Sequence, residues 1–207
     1  MSYVHDGAEI YRRSFATIRA EAELGRFDKR LEPVVVRMIH ACGMVDLAGD
    51  VAVSPHFAQR AEQALRSGAP ILCDTEMVAA GVIRSRLPVG NAVLCTLSRP
   101  EVAQLAARLQ TTRTAAAVAL WRDHLDGSIV VIGNAPTALF ALLESVAAGA
   151  GAPAAVIGVP VGFIGAAESK AALAEQPLGL EYLVVHGRRG GSAIAAAALN
   201  AIASPSE

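Results

Sequence analysis

Five short apolar runs constrain the fold of this chain more than any other feature: 70–74 (PILCD), 92–97 (AVLCTL), 128–133 (SIVVIG), 154–159 (AAVIGV) and 181–187 (EYLVVHG). None alternates apolar with polar residues, as a strand with one wet face would. Continuous apolar character is expected of strands covered on both faces. Each run is followed by residues with helical spacing, at 75–80, 100–109, 137–147, 165–175 and 192–203. Strand alternating with helix predicts right-handed crossovers and a parallel sheet of about five strands between two helical layers, an α/β fold. In "SRPE", Ser98 and Glu101 have the spacing of a capping box for the second of these helices.

The first 67 residues carry a different pattern. Asp6 can cap a helix in which Ile10, Tyr11, Phe15 and Ile18 share a face. A second helix is predicted over 28–42, with Pro33 tolerated in its first turns and Gly43 as its stop. "SPHFAQRAEQALRSG" predicts a third, with Ser54 as cap, Pro55 in the first turn and Gly68 at the end. The expected organisation is one domain spanning 1–207, with an N-terminal helical subdomain (1–67) and a parallel α/β core (68–207). A chain of 207 residues, 53% of them hydrophobic, can bury a substantial core.

Charge and motifs exclude several functions. A formal net charge of −1 argues against a general nucleic-acid binder. Cys42, Cys73 and Cys95 are far apart and spell neither a disulfide framework nor a zinc site, which suits reduced thiols in a cytoplasmic protein. The N-terminus lacks the features of a signal peptide. The uncharged stretch 145–167 is broken by Pro153, Pro160 and several glycines, so no membrane span is expected. No H-E-x-x-H supports a metal, no G-x-S-x-G a nucleophilic serine, and no G-x-G-x-x-G or P-loop a nucleotide.

In open α/β sheets, ligands bind beyond the carboxyl ends of the strands. Three loops there are rich in glycine and small residues: "GNAPTA" (133–138), "GVPVGFIGAAESK" (158–170) and "HGRRGGS" (186–192). Each leads into a helix N-terminus, so together they suggest a cradle for anionic groups; read singly, each is an ordinary turn. Asp74, Thr75 and Glu76 end the first run and suit either acid–base work or helix capping. Arg113 in "TTRT" suits a carboxylate clamp or a solvated surface. His40 falls in the last turn before Gly43, where helix carbonyls favour a protonated imidazole. It reads either as a satisfied, partly buried residue or as a proton donor.

The segments "RSFATIRAEA", "VRMIHACGMVD", "GAPILCDTEMVAAG", "GNAPTALFALLE", "GVPVGFIGAAESK" and "GRRGGSAIAAAALN" occur in this order along nearly the whole chain. Together they resemble the precorrin-8X methylmutase family of cobalamin biosynthesis. The resemblance implies a flavodoxin-like three-layer α/β/α fold and a homodimer with active sites near the subunit interface. It implies an isomerase that moves a methyl group from C-11 to C-12 of precorrin-8X to give hydrogenobyrinate, without metal or cofactor. His40 matches the family's catalytic histidine, and Ser14 and Arg113 match substrate-binding positions. With the cradle loops, the expected substrate contacts extend to Thr75, Asn134, Thr137, Gly162, Lys170, Gly190, Gly191 and Ser192. Two other readings stay open on sequence: a tetrapyrrole carrier with the same cradle, and a methylmutase for the cobalt-containing substrate. A nucleotide-binding flavodoxin-like module is permitted by fold but lacks the phosphate motifs.

Overall fold

A computed structural model describes residues 3–204 of the chain. In chain order the strands are β1 (Val51–Val53), β2 (Ile71–Cys73), β3 (Val93–Cys95), β4 (Ile129–Ile132), β5 (Ala155–Gly158) and β6 (Tyr182–Val185). They form one sheet in the order β1-β6-β5-β4-β2-β3. The last five lie inside the five apolar runs and are all parallel. Counted without β1, their order β3-β2-β4-β5-β6 reads 2-1-3-4-5, the flavodoxin-like arrangement.

The strand β1 departs from the sequence expectation. Residues 51–53 belong to a stretch read as helical, yet they pair antiparallel with β6, Ala52 opposite Val184. The sheet therefore has six strands, not five. Beyond β1, the guanidinium of Arg26 donates to the carbonyls of Ala48 and Val51 and so sits over the open edge. Ser54, expected to cap the following helix, instead hydrogen-bonds Glu181, and its hydroxyl accepts from the N–H of Tyr182 at 2.8 Å. A long-range carboxylate partner has displaced the local cap.

Among the described residues there are eleven α-helices and two short 3-10 turns; the α-helices are α1 (Gly7–Glu21), α2 (Glu32–Cys42), α3 (Leu47–Asp50), α4 (Phe57–Arg66), α5 (Glu76–Gly81), α6 (Glu101–Leu109), α7 (Arg113–Val118), α8 (Arg122–Leu125), α9 (Pro136–Ala147), α10 (Ala166–Glu175) and α11 (Ser192–Ala203). Side chains leave a strand alternately up and down. Ile71, Ile129, Val131, Ile157, Leu183 and Val185 consequently share one core with Val35, Met38 and Ile39 of α2 and Ala195 and Leu199 of α11. Leu72, Val130, Ile132, Val156 and Val184 point the other way, toward Trp121, Leu139, Leu142 and Leu173. The helices α2 and α11 pack closely on each other, so the N-terminal segment is continuous with one layer of the sandwich.

The outermost helix, α1, is capped as expected: Asp6 accepts from the N–H groups of Ala8 and Glu9. Its docking is apolar. Phe15 is buried to 2% exposure and contributes roughly 1.5–3 kcal/mol. The surface ion pair Arg19–Glu32 that also spans α1 and α2 is worth under ~1 kcal/mol. Ile10 and Tyr11, expected on the same buried face, are about half exposed. The stripe is narrower than the sequence spacing suggests, and Tyr11 stands at its rim. The capping box at Ser98 does not form either: Pro100 is the N-cap of α6, and no side chain caps that helix.

Candidate active site

The helix α2 stops where Gly43 turns into the left-handed region, φ +71°, and returns its N–H to the carbonyl of Ile39 at 2.7 Å. A side chain at this position would be strained. His40 therefore sits in the last turn of a helix whose end is fixed. Its Nδ1 lies 2.9 Å from the Oγ of Ser14 on α1. Tyr11, one turn before Ser14, and Phe15, the residue after it, place their rings 5.3 and 5.1 Å from the imidazole. The Nε2 atom makes no hydrogen bond to the described residues. One groove of about 270 Å³ is lined by Ser14, Thr17, Ile18, Glu21, Ile39, His40, Gly43 and Val45. A second, of about 470 Å³ and bordered by Tyr11 and Phe15, carries the three arginines Arg12, Arg37 and Arg86. Arg37, unassigned by sequence, lays its guanidinium 5.5 Å from the centre of the Phe15 ring.

At the switch between β2 and β4, where open α/β folds of this order hold ligands, the protein has placed its own anion. Asp74 is buried, and its carboxylate accepts the N–H groups of Gly133, Asn134 and Ala135 at 3.1, 2.9 and 2.8 Å. Burial pushes its carboxyl above the usual range, and the three backbone donors pull it back down. The backbone donors of the 133–135 turn are thus already in use, which corrects the expectation that this loop offers them to a ligand. Thr75 is the N-cap of α5, accepting from the N–H of Val78. Its buried hydroxyl matches the capping alternative. Burial also raises the thiol of Cys95 to about 11, and that of Cys73 further still, so neither is a reactive thiolate.

Other expected residues gather on the far face of the sheet. The hydroxyl of Thr137, on the first turn of α9, meets those of Thr112 and Thr114 at 2.8 and 3.0 Å. Arg113 is exposed and donates to the carbonyl of Leu97 at 3.3 Å. Asn134, in the turn between β4 and α9, is exposed. This group belongs to the α7–α9 layer, whereas His40 and Ser14 belong to the α1–α2–α11 layer, so one chain does not bring them into contact.

A third group forms at the ends of β5 and β6. Gly162 donates its N–H to the carbonyl of Arg188, and Gly191 to that of Val159. Gly190 is pressed against this seam: a Cβ there would stand 2.2 Å from the oxygen of Val159. Ser192 opens α11 and is buried. Lys170, expected to reach a ligand, is fully buried, and its Nζ donates to the carbonyl of Arg189 at 2.5 Å. Burial lowers its pKa to about 8, with Asp50 pulling the other way. Among the described residues no cluster of three His, Cys, Asp or Glu side chains could hold a metal ion, and no helix is long and apolar enough to cross a membrane.

Fold and site together define a class: an α/β/α protein of flavodoxin-like topology, with an imidazole–hydroxyl pair beside a groove and the backbone donors at its topological switch taken up by Asp74. The chain belongs to the precorrin-8X methylmutase family, isomerases of cobalamin biosynthesis; the family's sequence profile matches residues 9–205. It is 57% identical to the precorrin-8X methylmutase of Pseudomonas aeruginosa over the full length of both chains. It is also 57% identical to that of a Sinorhizobium species, covering 98% of this chain and 97% of the relative. The cobalt-precorrin-8 methylmutase of Priestia megaterium is 37% identical over 94% of this chain and 86% of that one. Among solved structures, the precorrin-8X methylmutase of Thermus thermophilus superposes with a TM-score of 0.86 at 40% identity, covering 95% of each chain.

Proposed function

We propose that this methylmutase acts on metal-free precorrin-8X, moving the methyl group from C-11 to C-12 to give hydrogenobyrinate, with His40 as proton donor and acceptor toward the nitrogen of the reacting ring. The observation that carries the reading is the Ser14–His40 pair, with Nε2 left open beside a groove. A sigmatropic methyl shift needs no nucleophile. It needs the π-system polarised by a proton and held in one geometry. A serine hydroxyl both donates and accepts. With Nδ1–H donated to the Ser14 oxygen, Ser14 stays bonded to the ring while the imidazolium gives up its Nε2 proton and the neutral imidazole takes it back, keeping the ring oriented in both states. Arg12, Arg37 and Arg86 around the adjoining groove suit the many carboxylates of such a substrate. The metal-free substrate is favoured because the 57% relatives carry that name, and a relative named for the cobalt substrate stands at 37%.

We propose a homodimer, supported by the division of the site. Arg113 and Thr137 lie on the opposite layer from His40, so a macrocycle gripped by both sets would take them from two copies. Phe163 and Ile164, 80% and 89% exposed at the tip of the loop after β5, suit contact with a second copy. We place the enzyme in the cytoplasm, where its three free thiols would stay reduced.

The test is conversion of purified precorrin-8X, followed by visible absorption. The wild-type chain is expected to yield the hydrogenobyrinate spectrum. His40→Ala is expected to lose about 10²- to 10⁴-fold in turnover, the usual contribution of a positioned proton donor, while still binding product. Full turnover by that variant would remove His40 from the chemistry, and an unchanged spectrum with wild-type protein would favour a carrier.

A further inference from the structure

Lys170 is one of only two lysines in the chain, and it is fully buried. Its ammonium holds the carbonyl of Arg189, in a loop already fastened to the end of β5. Gly191 N–H donates to Val159 O at 2.9 Å, and Gly162 N–H to Arg188 O at 3.2 Å. Gly190, between the two, leaves no room for a side chain. The backbone under Arg189 is therefore fixed from below and from the side. Its guanidinium reaches out from this base to Asp46 at 2.9 Å and Asp50 at 2.8 Å. Asp46 lies three residues beyond Gly43, the stop of the His40 helix, and next to Val45, which lines the groove beside His40. Alone, these half-exposed ion pairs would be weak, because solvent screens them. They have directional value here because the backbone that carries Arg189 is held.

We propose that Lys170 is a positioning residue for His40: by fixing the Arg189 carbonyl it aims the Arg189 guanidinium at Asp46 and Asp50, and so holds the segment that closes the His40 helix. The proposal rests on His40 being the proton-transfer group. A buried ammonium is a costly way to fill space, and an apolar side chain of similar volume is often neutral or stabilising in such a position. The depressed pKa of Lys170 agrees that its charge is held against a desolvation cost. A lysine kept only for the fold would lower stability when removed. One kept for geometry would lower turnover without lowering stability.

The experiment uses Lys170→Met in the full chain. Its melting temperature is expected to equal or exceed that of the wild type. Turnover of precorrin-8X is expected to fall about tenfold, as for a small displacement of a catalytic group, with KM changed less than twofold. With ¹⁵N-labelled histidine and no substrate, the ring resonances of His40 should move. Arg189→Met should move the same resonances, and the double variant should be no worse than the poorer single one, since both break one linkage. Should Lys170→Met fail to fold, Arg189→Met carries the same two readouts on a surface side chain. Unmoved His40 resonances with turnover within twofold of wild type would overturn the proposal. So would effects that multiply in the double variant, or a loss of turnover that only tracks a lowered melting temperature. If wild-type protein does not convert precorrin-8X, the methylmutase reading fails, while the His40 resonances still decide whether Lys170 and Arg189 set the position of that ring.

Discussion

Replacing Asp74 by asparagine isolates the contribution of the internal anion. The carboxylate is 2% exposed, with one oxygen accepting Gly133 N–H at 3.1 Å and the other accepting Asn134 and Ala135 N–H at 2.9 and 2.8 Å. An amide has the same shape but one acceptor. The less costly orientation sets its NH2 against Gly133, so one buried donor faces another, which costs roughly 1–3 kcal/mol. The two remaining bonds pass from a charged to a neutral acceptor and weaken by about half. Relief of the buried charge offsets part of this, since burial raises the Asp74 pKa. The net expectation is a loss of about 1–3 kcal/mol near neutral pH. At ~2–4 °C per kcal/mol for a chain of this size, the melting temperature should fall by roughly 2–12 °C. The pH dependence has a definite sign. A folded-state pKa above the unfolded value means the folded chain keeps its proton to higher pH. The Asp74 contribution is therefore fully present below the ordinary carboxylate value and declines as pH rises through the folded one. Thermal unfolding followed by circular dichroism at pH 4 and pH 7.5 reads both effects. The gap between wild type and Asp74→Asn should be wider at the lower pH. A variant as stable as wild type at both values, or a gap that widens with pH, would refute the reasoning.

Two further outcomes follow from the geometry. Gly190→Ala forces a methyl to within 2.2 and 2.5 Å of the carbonyl oxygens of Val159 and Pro160. The seam between the two loops must open, at a cost of about 3 kcal/mol, the upper end of ordinary overpacking, and hydrogen exchange at the Gly191 amide should quicken. Ser14→Ala removes the partner of His40 Nδ1 and should reduce turnover about tenfold, the kinetic equivalent of one neutral hydrogen bond. Its melting temperature should stay within a few degrees of wild type, and unchanged turnover would show that the hydroxyl does not orient the ring.

The parallel sheet was readable in the sequence because its strands are buried on both faces, which leaves an unbroken apolar run with no competing pattern. The end of the His40 helix was readable for a similarly local reason, since Gly43 is a strong stop. What escaped was settled over long distances. Val51–Val53 is too short to carry a period, and its strand character comes from β6, more than a hundred residues later. Ser54 has the look of a cap until Glu181 arrives from the same distance. Asp74 was a candidate acid or cap at the end of a strand, but its partners lie in the 133–135 turn, sixty residues on. Lys170 was expected to contact the substrate from the segment after β5. Only the packing of α10 against the 186–191 loop shows it as an interior group with one carbonyl to serve. Tyr11 fitted the apolar stripe of its helix, and its half-exposure beside His40 depends on how wide a stripe α2 accepts.

The edge strand β1 restricts how copies of this protein meet. An open edge of backbone donors and acceptors invites another strand to join, which makes sheets spread between molecules. Here that border is formed by three residues running against the direction of the rest, and Arg26 places a positive charge over it while occupying the Val51 carbonyl. A neighbour extending the sheet past β1 would have to dislodge that arginine and bury its charge. Self-association is thereby turned away from backbone pairing along this border and toward side-chain faces, where shape and sequence can choose the partner.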